Sequence, residues 1–398
     1  MDDPGAGTSL DDLPLWLARA SLDGSPVDTI LAGFMARLNA LGFGVGRAYL
    51  GIRLLNPLVR AEGYIYERQA DAVTHERYEH ASMPPGYQRS PIHHMLSAGI
   101  DQLYRPLQGP EAQLDFDILK DFAARGYSAW AAYLIPFTLL PTAMPDEPLG
   151  FIVTLCCDLP EGWAQQHQVA FERLLPHLSA AIQGRVFATL AQDLLATYLG
   201  QDAALRVLQG TTTRGDMRSL RAAILYADLR GFTQRTETLE PAALLASLDR
   251  HFDRLVGPIE RCGGQVLKFM GHGLLAVFPT ADSSDIEAGI RAFAAAQEAL
   301  IANQDLAAND STAMALDIAL HTGDVQYGNV GGATRLDFTV IGPAVNTAAR
   351  MEQKCQELGV PLIISREMAR LLDGVGLRSL GSHALRGLTG ARELFTSP

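Results

Sequence analysis

The sequence predicts a mixed α+β protein with two domains joined by a long helix. It has 398 residues, of which 48% are hydrophobic and 19% charged, so more than one core can form and global disorder is excluded. Helical spacing and strand-like alternation are interleaved along the chain. A long helical pattern from Gln165 to about Leu199 and a polar stretch after it separate the two halves. The predicted parts are an extension (1–25), an α+β domain (26–190), a helical linker (165–215) and a second domain (216–398).

The first domain is predicted from patterns that change type at glycine and proline residues. Apolar residues recur at helical spacing over 26–41, and residues 44–54 then alternate as a strand. The remaining predicted elements are strands at 62–66, 131–137 and 149–157, a helix beginning at Pro91 and a helix over 114–125. This order resembles that of a GAF-type sensor domain. The long exit helix suits a dimeric signalling stalk.

The GAF resemblance implies a small-molecule ligand for the N-terminal domain. Its candidate lining residues are Tyr64, Tyr66, Trp130 and Tyr133. Aromatic residues in strands are more often part of a core, so both interpretations stay open. The sequence names neither the ligand nor the sign of its effect.

Charge and composition exclude several classes of protein. The net charge of −12 argues against broad nucleic-acid binding, which needs a basic face. The four cysteines lack metal-ligand spacing and are typical of reduced core thiols. The chain starts without a signal-peptide pattern, and three prolines interrupt the longest apolar run, 129–145. We therefore expect a soluble, cytoplasmic protein without a membrane span.

The most informative stretch of the second domain is residues 268–278, which read KFMGHGLLAVF. Two apolar strands flank a tight turn, and Gly271 and Gly273 can take the backbone angles of a hairpin. His272 is the polar residue at the tip, and Lys268 precedes it by four positions. Taken alone, this stretch is an ordinary hairpin with an exposed histidine.

Two further stretches carry polar groups at positions that suit phosphate chemistry. An apolar strand ends at Asp228 and turns into a helix, which suits a hard divalent cation bridging phosphate oxygens, although such an aspartate is more often a helix cap. Asn346 and Arg350 lie four apart on a predicted helix and share a face. Together they can orient a ribose and neutralise a phosphate, or form an ordinary surface pair.

These stretches, in this order, resemble the catalytic domain of class III nucleotidyl cyclases (adenylate and guanylate cyclases). The matching segments are 227–233, 263–271, 321–331 and 337–350. The resemblance covers residues 220–398 and implies a ferredoxin-like α/β fold. It also implies a head-to-tail homodimer, in which each site combines a metal-binding half of one chain with a base- and phosphate-binding half of its partner.

By resemblance, each residue of the motifs receives a role. Asp228 and the carbonyl of Leu229 bind two divalent cations, Mg²⁺ or Mn²⁺, and the amides of Gly231, Phe232 and Thr233 contact the triphosphate. The partner chain supplies Lys268 and Thr339 for the purine, Asn346 for the ribose, Arg350 for the α-phosphate and, by a weaker match, Arg386 for phosphate. A lysine suits the N1 acceptor of adenine, whereas guanylate cyclases carry a glutamate there.

The sequence departs from the family at position 272, where the second metal-binding aspartate is replaced by His272. A neutral imidazole is a single-point nitrogen ligand and a poor one for Mg²⁺. Asp324 and Glu237 are acidic residues close to the motifs in sequence, but nothing in the sequence places them within reach. The first prediction is an ATP-cyclising adenylate cyclase with impaired metal binding at His272. The alternatives are a weak or inactive nucleotide-binding module acting as a regulatory or heterodimer partner, and a ligand-sensing protein.

Overall fold

The computed structural model describes residues 9–54, 56–70, 72–80, 86–136, 150–280 and 284–397. The chain divides into two compact units, residues 1–194 and 195–398, each with its own sheet, and the predicted mixed α+β architecture is confirmed. The first eight residues of the predicted extension lie outside the described residues. So do Phe137 and Leu149 at the ends of two predicted strands, and residues 137–145 of the apolar run. No helix in the described ranges is long and apolar enough to cross a membrane.

The N-terminal unit is a six-stranded antiparallel sheet with helices on both faces. Its helices are α1 (Leu13–Leu22), α2 (Val27–Ala40), α3 (Pro91–Ala98), α4 (Asp117–Ala124) and α5 (Gln165–Leu199), the last of which continues into the second unit. Its strands are β1 (Val45–Arg53), β2 (Val59–Glu67), β3 (Ala72–Glu79), β4 (Gln102–Pro106), β5 (Ala129–Pro136) and β6 (Gly150–Cys157). Their order across the sheet is β3-β2-β1-β6-β5-β4.

The two faces of this sheet bury different sets of residues, as period-2 alternation requires. One face packs against α1, α2 and α5, with Leu31, Phe34 and Phe171 at its centre. The other face packs against α3 and α4 through Met95 and Phe122. Only alternate residues of each strand therefore reach the second face.

Three of the four aromatic residues predicted to line a ligand pocket lie in the first of these cores instead. Tyr64, Tyr66 and Tyr133 are buried against the face that carries α2 and α5. Trp130 lies on the opposite face and lines a cavity there. For the three tyrosines the structure agrees with the core interpretation, because strand alternation places them on the fully packed side.

The C-terminal unit is an eight-stranded sheet that is covered by helices. Its helices are α6 (Gln201–Leu208), α7 (Phe232–Thr238), α8 (Pro241–Arg261), α9 (Asp285–Asn309), α10 (Pro343–Glu352), α11 (Lys354–Leu358) and α12 (Arg366–Ala369). Its strands are β7 (Met217–Arg230), β8 (Gln265–Met270), β9 (Gly273–Pro279), β10 (Ala315–Gly331), β11 (Leu336–Ile341), β12 (Leu362–Ser365), β13 (Arg378–Ala384) and β14 (Ala391–Thr396).

The strand order β13-β14-β12-β10-β7-β9-β8 places β7 and β10 at the centre of this sheet, and β11 pairs with β10. Helices α8 and α9 cover one face through an apolar core that includes Ile259 and Ala292. Helix α10 packs on the other face through Ala344 and Ala348. The predicted polar stretch after the long helix contains α6, and Ala203 of this helix is buried in that second core.

Candidate active site

The site is organised around Asp228, near the end of the central strand β7. The residues before it form a buried apolar run that fixes the strand between its two neighbours. Antiparallel pairing sets Asp228 opposite Gly273 of β9 on one side and opposite Asp317 of β10 on the other. Its side chain is 30% exposed, so the carboxylate is partly open to solvent.

The β8–β9 hairpin brings His272 directly to this carboxylate. Gly271 and His272 form the turn, and Gly271 has φ +68°, a conformation that glycine adopts readily. The Nε2 atom of His272 lies 3.3 Å from Oδ1 of Asp228. The imidazole stacks on the ring of Phe232, with 4.7 Å between centroids and 5° between planes. The tip residue is therefore held between the carboxylate and the first residue of α7.

Two details of the predicted hairpin differ in the structure. Gly273 lies in β9 without a positive φ, and its role is close approach: a Cβ there would lie 3.0 Å from the Ala227 carbonyl oxygen and 3.1 Å from Oδ1 of Asp228. Only β9 is buried, whereas β8 is an edge strand with Lys268 and Phe269 exposed. The apolar residues of β8 therefore do not mark a fully buried strand.

Burial and the neighbouring His272 shift the pKa of the Asp228 carboxyl in opposite directions. Burial raises the pKa of the Asp228 carboxyl, and the nearby His272 opposes that rise. Burial also raises the pKa of Asp317, against the effect of Arg230, whose Nε donates to Oδ2 of Asp317 at 2.9 Å and whose Nη2 bonds Oδ1. Arg230 thus compensates the charge of Asp317, a residue that is 3% exposed and lies opposite Asp228 in the pair of strands β7 and β10.

Two further acidic residues that the sequence did not single out, Asp317 and Glu352, share this environment. Glu352, the last residue of α10, is 8% exposed. Burial, followed by Asp228 and Asp317, raises its pKa to about 8. Glu352 lies two positions beyond the matched segment 337–350 and Asp317 lies outside all four matched segments, so no local pattern marks either residue. Asp324, which was weighed from the sequence, instead lies 3.5 Å from Arg221, and Glu237 is exposed on α7.

The donor atoms near Asp228 decide how well divalent cations fit. The Asp228 carboxylate supplies oxygen ligands that Mg²⁺ and Mn²⁺ accept, and the Leu229 backbone follows directly in β7. Position 272 supplies an imidazole nitrogen, which Mn²⁺ tolerates better than Mg²⁺. Within the described ranges no group of three or more histidine, cysteine or acidic side chains is placed to hold a metal. The donor set therefore fits one cation at Asp228 and is a poor fit for a second hard cation.

The residues expected to read the base lie on the opposite side of the hairpin. The Lys268 amine forms an ion pair with the carboxylate of Asp337, and both side chains are about half exposed. Thr339 lies two positions further along β11, opposite Gly328 of β10, and is 8% exposed. No hydrogen bond joins Lys268 to Thr339 in the part of the chain that the structure describes, and Asp337 stands as the direct partner of the lysine.

The remaining predicted residues occupy two helices and one turn. Asn346 and Arg350 both lie on α10, with Asn346 exposed and Arg350 donating to Oε1 of Gln353 at 3.2 Å. Gly231 precedes α7 with φ +82°, and Phe232 and Thr233 are the first residues of that helix. Arg386 is exposed in the turn between β13 and β14. Within one chain, His272 therefore contacts both Asp228 and Phe232, and the Asn346 side chain is exposed to solvent.

Comparison with known proteins matches the C-terminal unit. Residues 217–396 match the family model of the adenylate and guanylate cyclase catalytic domain. An adenylate cyclase of Anabaena cylindrica is 29% identical over 163 residues, which are 40% of this chain and 32% of that protein. Adenylate cyclase 1 of Rhizobium meliloti is 28% identical over 175 residues, 43% of this chain and 26% of that protein. The chain therefore spans about a third or less of the length of these relatives.

Solved structures in the comparison include a bacterial light-regulated adenylyl cyclase. The match is 24% identical in sequence and covers 56% of this chain and 65% of the solved chain, with a TM-score of 0.48. The family match over 217–396 coincides with the residues that build the Asp228 site and the hairpin beside it. Residues 217–396 are therefore identified as an adenylate and guanylate cyclase catalytic domain.

Proposed function

We propose that this chain is an adenylate cyclase that converts ATP into 3′,5′-cyclic AMP and pyrophosphate. The observation that carries the proposal is the 3.3 Å approach of His272 to Asp228, because both positions that the resemblance assigns to metal binding meet at one point. Adenine as the base is supported by Lys268, whose ammonium group suits the N1 acceptor of adenine and mismatches the N1–H of guanine.

In the proposed reaction the ribose 3′-oxygen attacks the α-phosphorus. The new O3′–P bond forms as the bond from the α-phosphorus to the bridging oxygen breaks, pyrophosphate leaves, and the proton of the 3′-hydroxyl passes to solvent. Asn346 orients the ribose, and Arg350 stabilises negative charge on the α-phosphate in the transition state. Asp228 and the Leu229 carbonyl would hold a divalent cation, which would supply Lewis-acid activation of the hydroxyl and charge neutralisation of the phosphates.

The proposed active unit is a head-to-tail homodimer. In the hairpin, His272 contacts Asp228, whereas Lys268 forms an ion pair with Asp337. These two hairpin residues therefore lie in different surroundings. In a two-fold dimer each site then takes the Asp228 half from one chain and Lys268, Thr339, Asn346 and Arg350 from its partner.

A second candidate, a nucleotide-binding module without turnover, is favoured by the same contact. The imidazole of His272 touches the carboxylate of Asp228 where a second carboxylate would be needed to hold a second hard cation. Such a module binds ATP through Lys268 and Thr339 and acts by pairing with an intact cyclase domain.

The test compares cyclic AMP production by the unmodified chain, His272→Asp and the matched neutral control His272→Asn, each with Mg²⁺ and with Mn²⁺. We expect slow turnover by the unmodified chain that is faster with Mn²⁺. His272→Asp should raise the rate with Mg²⁺ by about tenfold or more, which corresponds to ~1.4 kcal/mol or more of transition-state stabilisation. His272→Asn should not.

The outcomes separate the candidates. No product from any of the three proteins, with either metal and with folded protein, contradicts the cyclase proposal. Product from His272→Asp alone selects the binding module instead. Competition by GTP in the same assay reports whether Lys268 and Thr339 select adenine.

We also propose that the N-terminal unit is a GAF-like sensor that regulates the cyclase domain. Support comes from its six-stranded antiparallel sheet with helices on both faces and from a cavity on one of those faces. Domain boundaries at 26–190 for the sensor and 216–398 for the cyclase part belong to the same proposal.

A further inference from the structure

The ion pair between Lys268 and Asp337 connects two strands that do not pair with each other. In the described part of the chain, β8 pairs with β9 and β11 pairs with β10. The contact is therefore made by the two side chains and is not imposed by a shared ladder of backbone hydrogen bonds. Lys268 is 43% exposed and Asp337 is 49% exposed, so a ligand can reach both groups.

The local structure of β8 directs Lys268 to this contact. The β8–β9 ladder shifts register between Val266 and Lys268, which marks a bulge in the strand. Leu267 packs into the core beneath α10, whereas Phe269 packs on Phe252 of α8 at the other face of the sheet. Because alternation resumes after the bulge, Lys268 lies on the face opposite to Phe269.

Strand β11 carries Asp337 on the same face as Thr339. Phe338 and Val340 pack into the core beneath α10, so strand alternation turns Asp337 and Thr339 to the other side. These two residues lie about 7 Å apart along the strand. Lys268 contacts Asp337, the more exposed of the two, and Thr339 is 8% exposed. The ammonium group of Lys268 is therefore held beside the two residues of β11 that face away from the core.

The ion pair leaves the ammonium group able to contact a base. An ammonium group donates up to three hydrogen bonds, and the Asp337 carboxylate accepts one of them. The other two donors can meet an acceptor such as N1 of adenine. A lysine side chain that is not held rotates about its four-carbon stem. Its anchoring at Asp337 therefore restricts the directions in which Lys268 can donate.

The same pair determines what the Asp337 carboxylate can accept. Guanine carries two adjacent donors, N1–H and the 2-amino group, which match the two oxygens of a free carboxylate. In the ion pair, Oδ2 of Asp337 accepts a hydrogen bond from Nζ of Lys268, and the two charges compensate each other. A carboxylate that is occupied in this way is a poor acceptor for guanine. Both members of the pair therefore disfavour guanine.

We propose that Asp337 is a positioning residue that sets the preference for adenine over guanine through Lys268. Asp337 holds the ammonium group toward the edge of the base, and Lys268 in return prevents Asp337 from accepting the donors of guanine. This inference rests on the proposed cyclase function, because it concerns how the same site selects its base. It adds a residue that changes the choice of base through the lysine that contacts the base.

The first measurement is nucleotide binding without turnover. The probes are the α,β-methylene analogues of ATP and GTP, in which a P–C bond replaces the bond that breaks in the reaction. Isothermal titration calorimetry on the full chain with Mn²⁺ gives both dissociation constants. We expect the unmodified chain to prefer the adenine analogue, and Asp337→Asn to lower the ratio of the two affinities about tenfold. Asp337→Glu, which keeps a carboxylate, should retain most of the preference.

The ratio is the informative quantity, because a change of charge near the triphosphate affects both analogues alike. Lys268→Met leaves the Asp337 carboxylate free to accept the donors of guanine. The guanine-to-adenine affinity ratio of Lys268→Met should therefore exceed that of the double variant Lys268→Met/Asp337→Asn about tenfold. Asp324→Asn is the matched control, since Asp324 is a 73% exposed aspartate of β10 that pairs with Arg221, and it should leave the ratio unchanged.

Cyclic AMP rates in the His272→Asp background provide the second measurement. Asp337→Asn should raise the KM for ATP about tenfold and change kcat less than about twofold, because the lost interaction is made equally in the ground state and the transition state. Circular dichroism and thermal midpoints report whether each variant folds. If Lys268→Met does not fold, the comparison of Asp337→Asn with Asp337→Glu decides.

Equal affinity ratios for the unmodified chain and Asp337→Asn overturn the inference, as does an equal drop with Asp324→Asn or a ratio in Lys268→Met that the second change does not alter. If the ratios change as expected and no cyclic AMP forms, the cyclase proposal fails and the role of Asp337 stands. If ATP turns over and the ratios stay constant, the role of Asp337 fails alone. Absence of binding of either analogue rejects both the inference and the nucleotide-binding module.

Discussion

His272 and Asp228 show that the side chain at one position decides which metal ligands this site offers. The hairpin places the 272 position against the carboxylate, and stacking on Phe232 holds the imidazole there. The geometry thus suits a metal-binding side chain, while the imidazole donates a single nitrogen lone pair. Changing this residue to aspartate alters ligand chemistry without altering the backbone, which makes position 272 the most direct test of the site.

Glu352 gives the second prediction at the scale of single residues. Burial and the charges of Asp228 and Asp317 raise its pKa from 4.5 to about 8, so the folded state holds a proton that the unfolded state releases. The stability that this proton contributes is complete below pH 4.5 and is lost as the pH rises through about 8. Glu352→Gln should remove this dependence, because an amide does not titrate.

The measurement is the urea midpoint between pH 5 and pH 8.5 in the presence of a chelator. Since each pKa unit corresponds to about 1.4 kcal/mol, we expect the unmodified chain to lose ~2 kcal/mol or more relative to Glu352→Gln across this range. Glu260→Gln, an exposed carboxyl on α8, is the control and should follow the unmodified chain. Parallel pH profiles for all three proteins would contradict a proton on Glu352.

The sequence alone could not predict that Asp317 and Glu352 lie near Asp228. Asp228 and position 272 were predictable because each lies inside a short motif with a fixed local spacing. Asp317 approaches Asp228 only through the register of β7 and β10, which are far apart in sequence. Glu352 approaches them only because α10 packs on that sheet. Such contacts depend on tertiary structure and leave no local pattern.

At the scale of elements, β9 and its close approach to β7 position the hairpin tip. Gly273 leaves no room for a Cβ, since the Ala227 carbonyl and the Asp228 carboxylate would both lie near 3 Å from it. Gly273→Ala should therefore displace the hairpin, destabilise the fold by about 1–3 kcal/mol and lower turnover further. Gly332→Ala, at a turn with nothing within 4 Å of the new Cβ, is the matched control.

Thermal midpoints and cyclic AMP rates of the two alanine variants, made in the His272→Asp background, check this prediction. Identical behaviour of the two would mean that strand β9 tolerates the added methyl group, and that the close approach does not position the tip.

Elements with strong periodicity were predicted well, and short polar ones were not. The helix pattern from Gln165 to Leu199 coincides with α5, and the strand over 44–54 corresponds to β1. Helix α6 was missed because it is only 8 residues long and a polar threonine run follows it. Strand β3 was missed because most of its side chains are exposed at the sheet edge, which weakens the alternation that identifies a strand.

At the scale of the whole molecule, the proposed dimer leads to a prediction that can be tested only by mixing two variants. If each site combines Asp228 of one chain with Arg350 of its partner, Asp228→Ala and Arg350→Ala each disable both sites of their own homodimer. A mixed dimer of the two variants then has one site with both changes and one with neither. Random exchange produces mixed dimers in half of the population, so activity should return to about a quarter of the parent value.

The experiment mixes the two variants in the His272→Asp background, where turnover is expected to be fastest, and measures cyclic AMP as a function of mixing ratio. Recovery should peak at equal amounts and require time for subunit exchange. The control is Asp228→Ala mixed with itself or with a chain that carries His272→Ala in place of His272→Asp, because both changes lie in the same half-site and no intact site can form. No recovery in the first mixture although dimers exchange would place Asp228 and Arg350 in one chain's own site, and recovery in the control would contradict the assignment of Asp228 and position 272 to one half-site.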